Sequence, residues 1–192
     1  MSHNRVRRVY SDRDGTVIIC TDHGLNIYNP ATRQMRNIIV TDRSRRYSTA
    51  WAYDIVDDGK GRYWISSYMG GVFVVDKQRL LSASTPAIIA DRHYLKELQG
   101  IHVSQLVADG RGYVWVLMYN SGLDRINLRT MKVEHIVGKD NKINNICADR
   151  KGNLWVAMQG EVRCFGANCK TQSYNIEGYN DNAMLCEVEG NI

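Results

Sequence analysis

His23, Tyr47, Trp51, Tyr53, Tyr68, Tyr119, Asn120, Asn145 and Gln159 are the side chains of this 192-residue chain whose types suit recognition of a small polar molecule. Aromatic faces stack on apolar C–H patches and carboxamides exchange hydrogen bonds with hydroxyls, so such a set would suit a sugar in a largely pre-formed pocket. Each residue also has a competing reading, as an ordinary packing aromatic or an exposed loop polar. No catalytic constellation accompanies them. The histidines (His3, His23, His93, His102, His135) are dispersed, with neither a His-Glu-x-x-His nor a Gly-x-Ser-x-Gly run. Gly59-Lys60-Gly61 and Gly110-Arg111-Gly112 fall in hairpin turns instead of at helix starts, so they are not phosphate loops. Asp12-Arg13-Asp14-Gly15 lacks the longer ligand series and the closing bidentate Glu of a calcium loop. The cysteines (Cys20, Cys147, Cys164, Cys169, Cys186) lack zinc-site spacing and lie mostly in strand patterns, as small buried hydrophobes would. Cys164 and Cys169 flank a plausible hairpin turn and could pair across it in an oxidising compartment. The expectation is therefore no catalytic residue, no cofactor and no metal.

The elements that must position these side chains announce themselves through repetition. An acid-x-x-Gly turn followed by an apolar strand occurs as Asp12 to Ile18, Asp58 to Trp64, Asp109 to Trp115 and Asp149 to Trp155. A fifth copy, Glu187 to Ile192, stops one residue before its expected Trp, which suggests a piece of something longer. The acid recurs at intervals of 38 to 51 residues, and short strands at a period near 40–45 are the mark of a propeller blade. The third copy is the clearest. Val103–Ala108 alternates into the Asp109 turn, Tyr113–Tyr119 is a continuous apolar run, Leu123–Leu128 follows an Asn120-Ser121-Gly122 turn, and Met131–Ile136 alternates as a more exposed outer strand. Four antiparallel strands joined by short turns make one blade.

The expected fold class is all-β: a β-propeller fragment of about four four-stranded antiparallel blades plus the start of a fifth. The blades are placed at about 5–47, 48–100, 101–140 and 141–180, with a truncated repeat at 181–192, all in one segment. Asp76 to His102 reads as a blade insertion whose Lys77–Leu81 part could form a helical turn. The acid should cap its turn through backbone N–H groups. Trp64, Trp115 and Trp155, with Ile18 in the first copy, should wedge between neighbouring blades as framework. Gly24, Gly71, Gly122 and Gly160 should supply positive φ between the second and third strands.

Composition fits this frame. Hydrophobic residues make up 44% and charged residues 23%, which is ordinary for a globular domain. The net charge of +5 is scattered through turns apart from Arg5 to Arg8 and Arg43-Ser44-Arg45-Arg46, and no basic helix or nucleic-acid module accompanies it, so no nucleic acid is expected as a partner. No apolar run approaches the ~20 residues of a membrane span, and no signal peptide is evident. An open arc of blades would leave uncovered apolar flanks, so self-association is expected.

The repeat resembles the two-component regulator propeller repeat, an apolar strand followed by Asp-x-x-Gly-x-aliphatic-Trp-aliphatic and then a Gly-aliphatic strand. Asp149 to Val156 and Gly122 to Asn127 match well; Gly24 to Asn29 and Gly71 to Asp76 match more loosely, and Ile18 departs from the pattern. The resemblance implies the periplasmic, non-catalytic sensor region of a Bacteroidetes hybrid two-component histidine kinase, whose remaining blades and kinase lie outside this chain. It also implies a glycan-derived small ligand. The alternative is a stand-alone propeller enzyme, lyase-like, or a protein-interaction scaffold. Blade geometry places the candidate residues on the loops between second and third strands and on the connections entering each first strand. Those loops are free of the repeat motif, and loops on a rigid scaffold commonly carry binding.

Overall fold

A computed structural model of the chain describes residues 1–166 and 171–175. The fifth repeat at Glu187 to Ile192, together with Cys169 and Cys186, lies outside the described residues. The chain divides into two compact units, Met1–Glu97 with Ile101–Leu106, and Leu98–Gly100 with the described residues from Val107 onward.

In the first unit, β1 (Val6–Ser11), β2 (Val17–Thr21), β3 (Gly24–Asn29) and β4 (Gln34–Thr41) form an antiparallel meander. A 3-10 turn over Thr49–Trp51 leads into β5 (Ala52–Asp57), β6 (Arg62–Ser67) and β7 (Gly71–Asp76) of a second sheet. Then come helix α1 (Lys77–Ser82) and the short strands β8 (Ala87–Ile89) and β9 (Arg92–Tyr94). β9 completes the second sheet, whereas β8 returns to the first and pairs parallel with β4. The stretch read as an insertion thus contributes to both blades. Leu80 of α1 is buried in the core with Ile18, Leu25, Ile55, Tyr63 and Phe73, and the Arg36 guanidinium donates to the carbonyls of Leu81 and Ala83. Burial of one helical face and two carbonyls capped by an arginine fix a segment whose own propensity is weak.

The third sheet is β10 (Val103–Ala108), β11 (Tyr113–Met118), β12 (Gly122–Asn127) and β13 (Val133–Val137), with Val103–Leu106 of β10 belonging to the first unit. The fourth is β14 (Ile143–Ala148), β15 (Leu154–Met158), β16 (Glu161–Phe165) and β17 (Thr171–Asn175). Trp115, Leu117, Leu123, Ile146, Val156 and Phe165 share a second core. The all-β fold and its four antiparallel meanders follow the expectation, and the continuous apolar runs form second strands buried on nearly every residue.

The repeat motif closes on itself within a few residues. Asp58, Asp109 and Asp149 each accept backbone N–H groups of their own turn on one carboxylate oxygen. The other oxygen accepts the indole N–H six residues on, at 3.0, 3.1 and 3.0 Å. Donor and acceptor thereby satisfy each other, both buried at Asp58–Trp64 and Asp109–Trp115 and half-buried at Asp149–Trp155. The rings pack in two ways. Trp64 stacks on Tyr94 and Trp155 on Tyr174 within their own sheets, and Trp115 meets Phe165 of the following sheet at 6.1 Å. Gly71 and Gly122 do adopt positive φ, at 71° and 86°. A Cβ there would come within 2.1 Å of the Tyr94 carbonyl oxygen and 2.2 Å of the Val137 oxygen, so the outer strand leaves room for hydrogen alone.

Candidate functional site

The aromatic set converges in the first unit around the turn between β6 and β7. Tyr68 in that turn stacks on Tyr53 of β5 with ring centroids 5.2 Å apart, and on His102, just before β10, at 4.6 Å and 11°. Trp51, at the end of the 3-10 turn, lies 5.8 Å from Tyr68 at a 42° tilt and remains 46% exposed. Arg7 of β1 covers Tyr53 at 4.7 Å and is held there by two bonds to Asp22, of 2.7 and 2.9 Å. That hydrogen-bonded pair lowers the Asp22 carboxyl below its ordinary range and raises the Arg7 guanidinium.

Short bonds between loops build the cluster. The Tyr68 N–H donates to the Trp51 carbonyl at 3.1 Å and the Ser67 hydroxyl to the Ser48 carbonyl at 2.9 Å, which joins the turn to the connection entering β5. The Gly71 N–H donates to the Ile101 carbonyl at 3.2 Å and brings His102 alongside. Beside this stack opens a cavity of about 240 Å3 walled by Arg46, Tyr47, Ser48, Trp51, Met69 and Gly70. Tyr47 is oriented by His93, 5.6 Å away, which bonds the Gly70 carbonyl at 2.6 Å and stacks on Phe73 at 4.3 Å. Its lining sets the half-exposed Trp51 ring beside the polar side chains of Ser48 and Arg46.

Four candidate residues therefore meet: Tyr47, Trp51, Tyr53 and Tyr68. The others do not join them. His23 is exposed, and its carbonyl takes bonds from Ser2 and Asn37. Tyr119, 60% exposed, and Asn120, at φ 52°, occupy the β11–β12 turn of the second unit. Asn145 is buried on β14, and Gln159 is exposed in the β15–β16 turn. Sequence reasoning missed Arg7, Arg46, Met69, His93 and His102. His102 stands immediately before a first strand, as Trp51 does at its own, so its loop position was the available signal.

The family model described as "Two component regulator propeller" matches residues 138–160, which span β14, its turn and β15. The chain carries the two-component regulator propeller repeat. Among solved structures, the extracellular domain of BT4673 from B. thetaiotaomicron is similar over 95% of this chain, with a TM-score of 0.86 and 36% identity. A second structure of that domain matches at 0.85 and 35% over 94% of this chain; the two are described as a one-component and as a hybrid two-component system. The extracellular domain of BT3049 from the same organism, at 22% identity and a TM-score of 0.69 over 91% of this chain and 24% of that one, shares the fold. So does virginiamycin B lyase from Staphylococcus aureus, at 11% and 0.66 over 91% of this chain and 56% of the lyase. The propeller segment spans about a quarter of the BT4673 domains it matches, 26% and 25%. No curated protein matches it at a significant level. No helix among the described residues is long and apolar enough to cross a membrane.

Proposed function

We propose that this chain is the ligand-sensing part of the periplasmic region of a hybrid two-component sensor, where it binds a glycan-derived small molecule without transforming it and passes the signal to a histidine kinase outside this chain. The observation that carries the reading is the half-exposed Trp51 face, backed by the Tyr53–Tyr68–His102 stack and set against a cavity of about 240 Å3. A sugar ring laid on Trp51 would bury its C–H face against the indole. Its hydroxyls would reach the Ser48 hydroxyl and the Arg46 guanidinium. The similarity to the extracellular domain of BT4673 supports the sensor assignment, and the stacked loops supply a rigid receptor surface.

The test is a titration of the chain with neutral and acidic oligosaccharides, followed by tryptophan fluorescence and repeated with Trp51→Ala. A saturable change with at least one sugar, lost in Trp51→Ala, is expected. No saturable change with any of them would end the proposal.

A further inference from the structure

The Trp51 cavity is bordered by a loop with an uncommon concentration of positive charge. Residues 42–47 read Asp-Arg-Ser-Arg-Arg-Tyr, and Arg43, Arg45 and Arg46 are all exposed. The loop is built, not slack. The Asp42 N–H donates to the Tyr47 carbonyl at 3.0 Å, the Arg45 N–H to the Asp42 carbonyl at 3.1 Å, and Thr41 bridges Ser48 across its base. The single carboxylate in the loop is engaged by the loop itself: Asp42 accepts the N–H of Tyr47 at 2.8 Å, the N–H of Ser44 at 3.0 Å and the Ser44 hydroxyl. Burial pushes its carboxyl up, but those bonds and the nearby His93 outweigh it and hold the group down at about 2. Arg45 adopts a φ of 59°, a conformation costly for a non-glycine residue, and the loop's bonds hold it there.

The guanidinium groups themselves are uncommitted. Arg5, Arg7, Arg62, Arg79, Arg125 and Arg163 each lie against a carboxylate. Among the described residues no ion pair involves Arg43, Arg45 or Arg46. Arg46 lines the cavity that Trp51 walls. Arg43 lines a second one, of about 230 Å3, with Asp42, Asp91, Arg92 and the His93 ring that packs on Tyr47. Arginine's planar fork matches carboxylate and sulfate groups in a bidentate way, and such charge-assisted bonds are about twice as strong as neutral ones.

We infer that the ligand of the Trp51 cavity is an acidic saccharide, its ring laid on the aromatic platform and its carboxylate or sulfate groups held by Arg46 and the Arg43–Arg45 edge of the loop. This deepens the reading of the cavity as a glycan site and rests on it. Carboxylate and sulfate share the chemistry, so the choice between them is left to the experiment.

The experiment measures affinities of the chain by calorimetry for three probes: a galacturonic acid hexamer, a heparin-derived hexasaccharide and the neutral hexamer of xylose. Three variants accompany the wild type: Arg43→Gln/Arg45→Gln/Arg46→Gln, Trp51→Ala, and Arg33→Gln/Arg129→Gln/Lys132→Gln, which removes equal charge from exposed turns elsewhere. Circular dichroism checks that each retains the fold. The expected result is an acidic hexamer bound about tenfold or more tightly than the neutral one, weakened at least about tenfold by the loop variant, weakened by Trp51→Ala, and unchanged by the distant variant. Preference between the uronate and the sulfated probe assigns the anion. Equal binding of the neutral hexamer, an unaffected loop variant or an equally affected distant variant would overturn the acidic-ligand inference, while Trp51 dependence would leave the glycan site standing. Tighter binding of a short DNA duplex through the same arginines would overturn it too. Failure of all three sugars to bind would remove both.

Discussion

The Lys77 ammonium lies 2.7 Å from a carboxylate oxygen of Asp12, on the oxygen that takes an indole N–H in the three repeats that carry a tryptophan. Ile18 occupies the tryptophan position of the first repeat, so its acid would be left half-satisfied and buried. The second blade supplies the missing donors, the Tyr63 hydroxyl and Lys77, and Lys77 also reaches Asp57 at 2.9 Å. Burial alone would raise the Asp12 carboxyl, but these bonds outweigh it and lower it below 3.8.

Lys77→Met should therefore destabilise the chain by about 1–3 kcal/mol, because a fully buried carboxylate loses its cation. The native Asp12 pair contributes stability that is present above the unfolded value of 3.8 and lost as the pH falls through the lowered folded value. Urea unfolding of both proteins at pH 7 checks the cost, and a change under about 0.5 kcal/mol would show that Tyr63 suffices.

Asp54 runs the other way. Its side chain is buried, and burial raises the carboxyl from 3.8 to about 6 despite bonds from the Leu106 and Ile55 N–H groups and Arg8 at 3.3 Å. A raised folded value means that its contribution is complete below 3.8 and disappears as the pH rises through about 6. Wild type should gain about 1 kcal/mol on Asp54→Asn when both are moved from pH 7 to pH 5. Paired urea melts at the two pH values measure this, and a constant difference would place the titration elsewhere.

The acid–indole pairs of the second unit should differ in worth according to burial. Asp109 is 8% exposed and Trp115 3%, whereas Asp149 and Trp155 are both half-buried. Asp109→Ala should cost about 2–4 kcal/mol and Asp149→Ala about 1–2, since an unpaired indole N–H is penalised only where water cannot reach it. Equal shifts in the urea midpoint would contradict this.

Gly122→Ala and Gly160→Ala separate backbone conformation from crowding. Both glycines have positive φ, 86° and 78°, but a Cβ at Gly122 meets the Val137 carbonyl oxygen at 2.2 Å and one at Gly160 meets nothing within 4 Å. Thermal unfolding should show a loss of about 1 kcal/mol for Gly160→Ala and at least about 3 for Gly122→Ala. Similar losses would mean that the outer strand yields freely.

Legibility followed sequence distance. The hairpins, the second-strand apolar runs and the acid-to-Trp motif could be read directly, because each acid finds its turn N–H groups and its indole within six residues. Ala87–Ile89 could not be assigned: three residues carry no usable period, and only the exposed edge of β4 makes them a parallel strand there. The candidate site was half legible. Trp51, Tyr53 and Tyr68 stood out by type and loop position, while Arg7 and His102 looked like one more surface charge and one more stray histidine.

The amino-acid sequence by itself determined the repeat, the all-β class and the four meanders, because strand alternation, turn chemistry and the acid–indole bond are satisfied among near neighbours in the chain. Tertiary structure decided which aromatics share a stack, which cations rescue Asp12, and that the Arg43–Arg46 loop borders the Trp51 cavity. Those contacts join residues as distant as Arg7, Tyr68 and His102. Their meeting depends on how the blades of the first unit pack, and no local pattern encodes it.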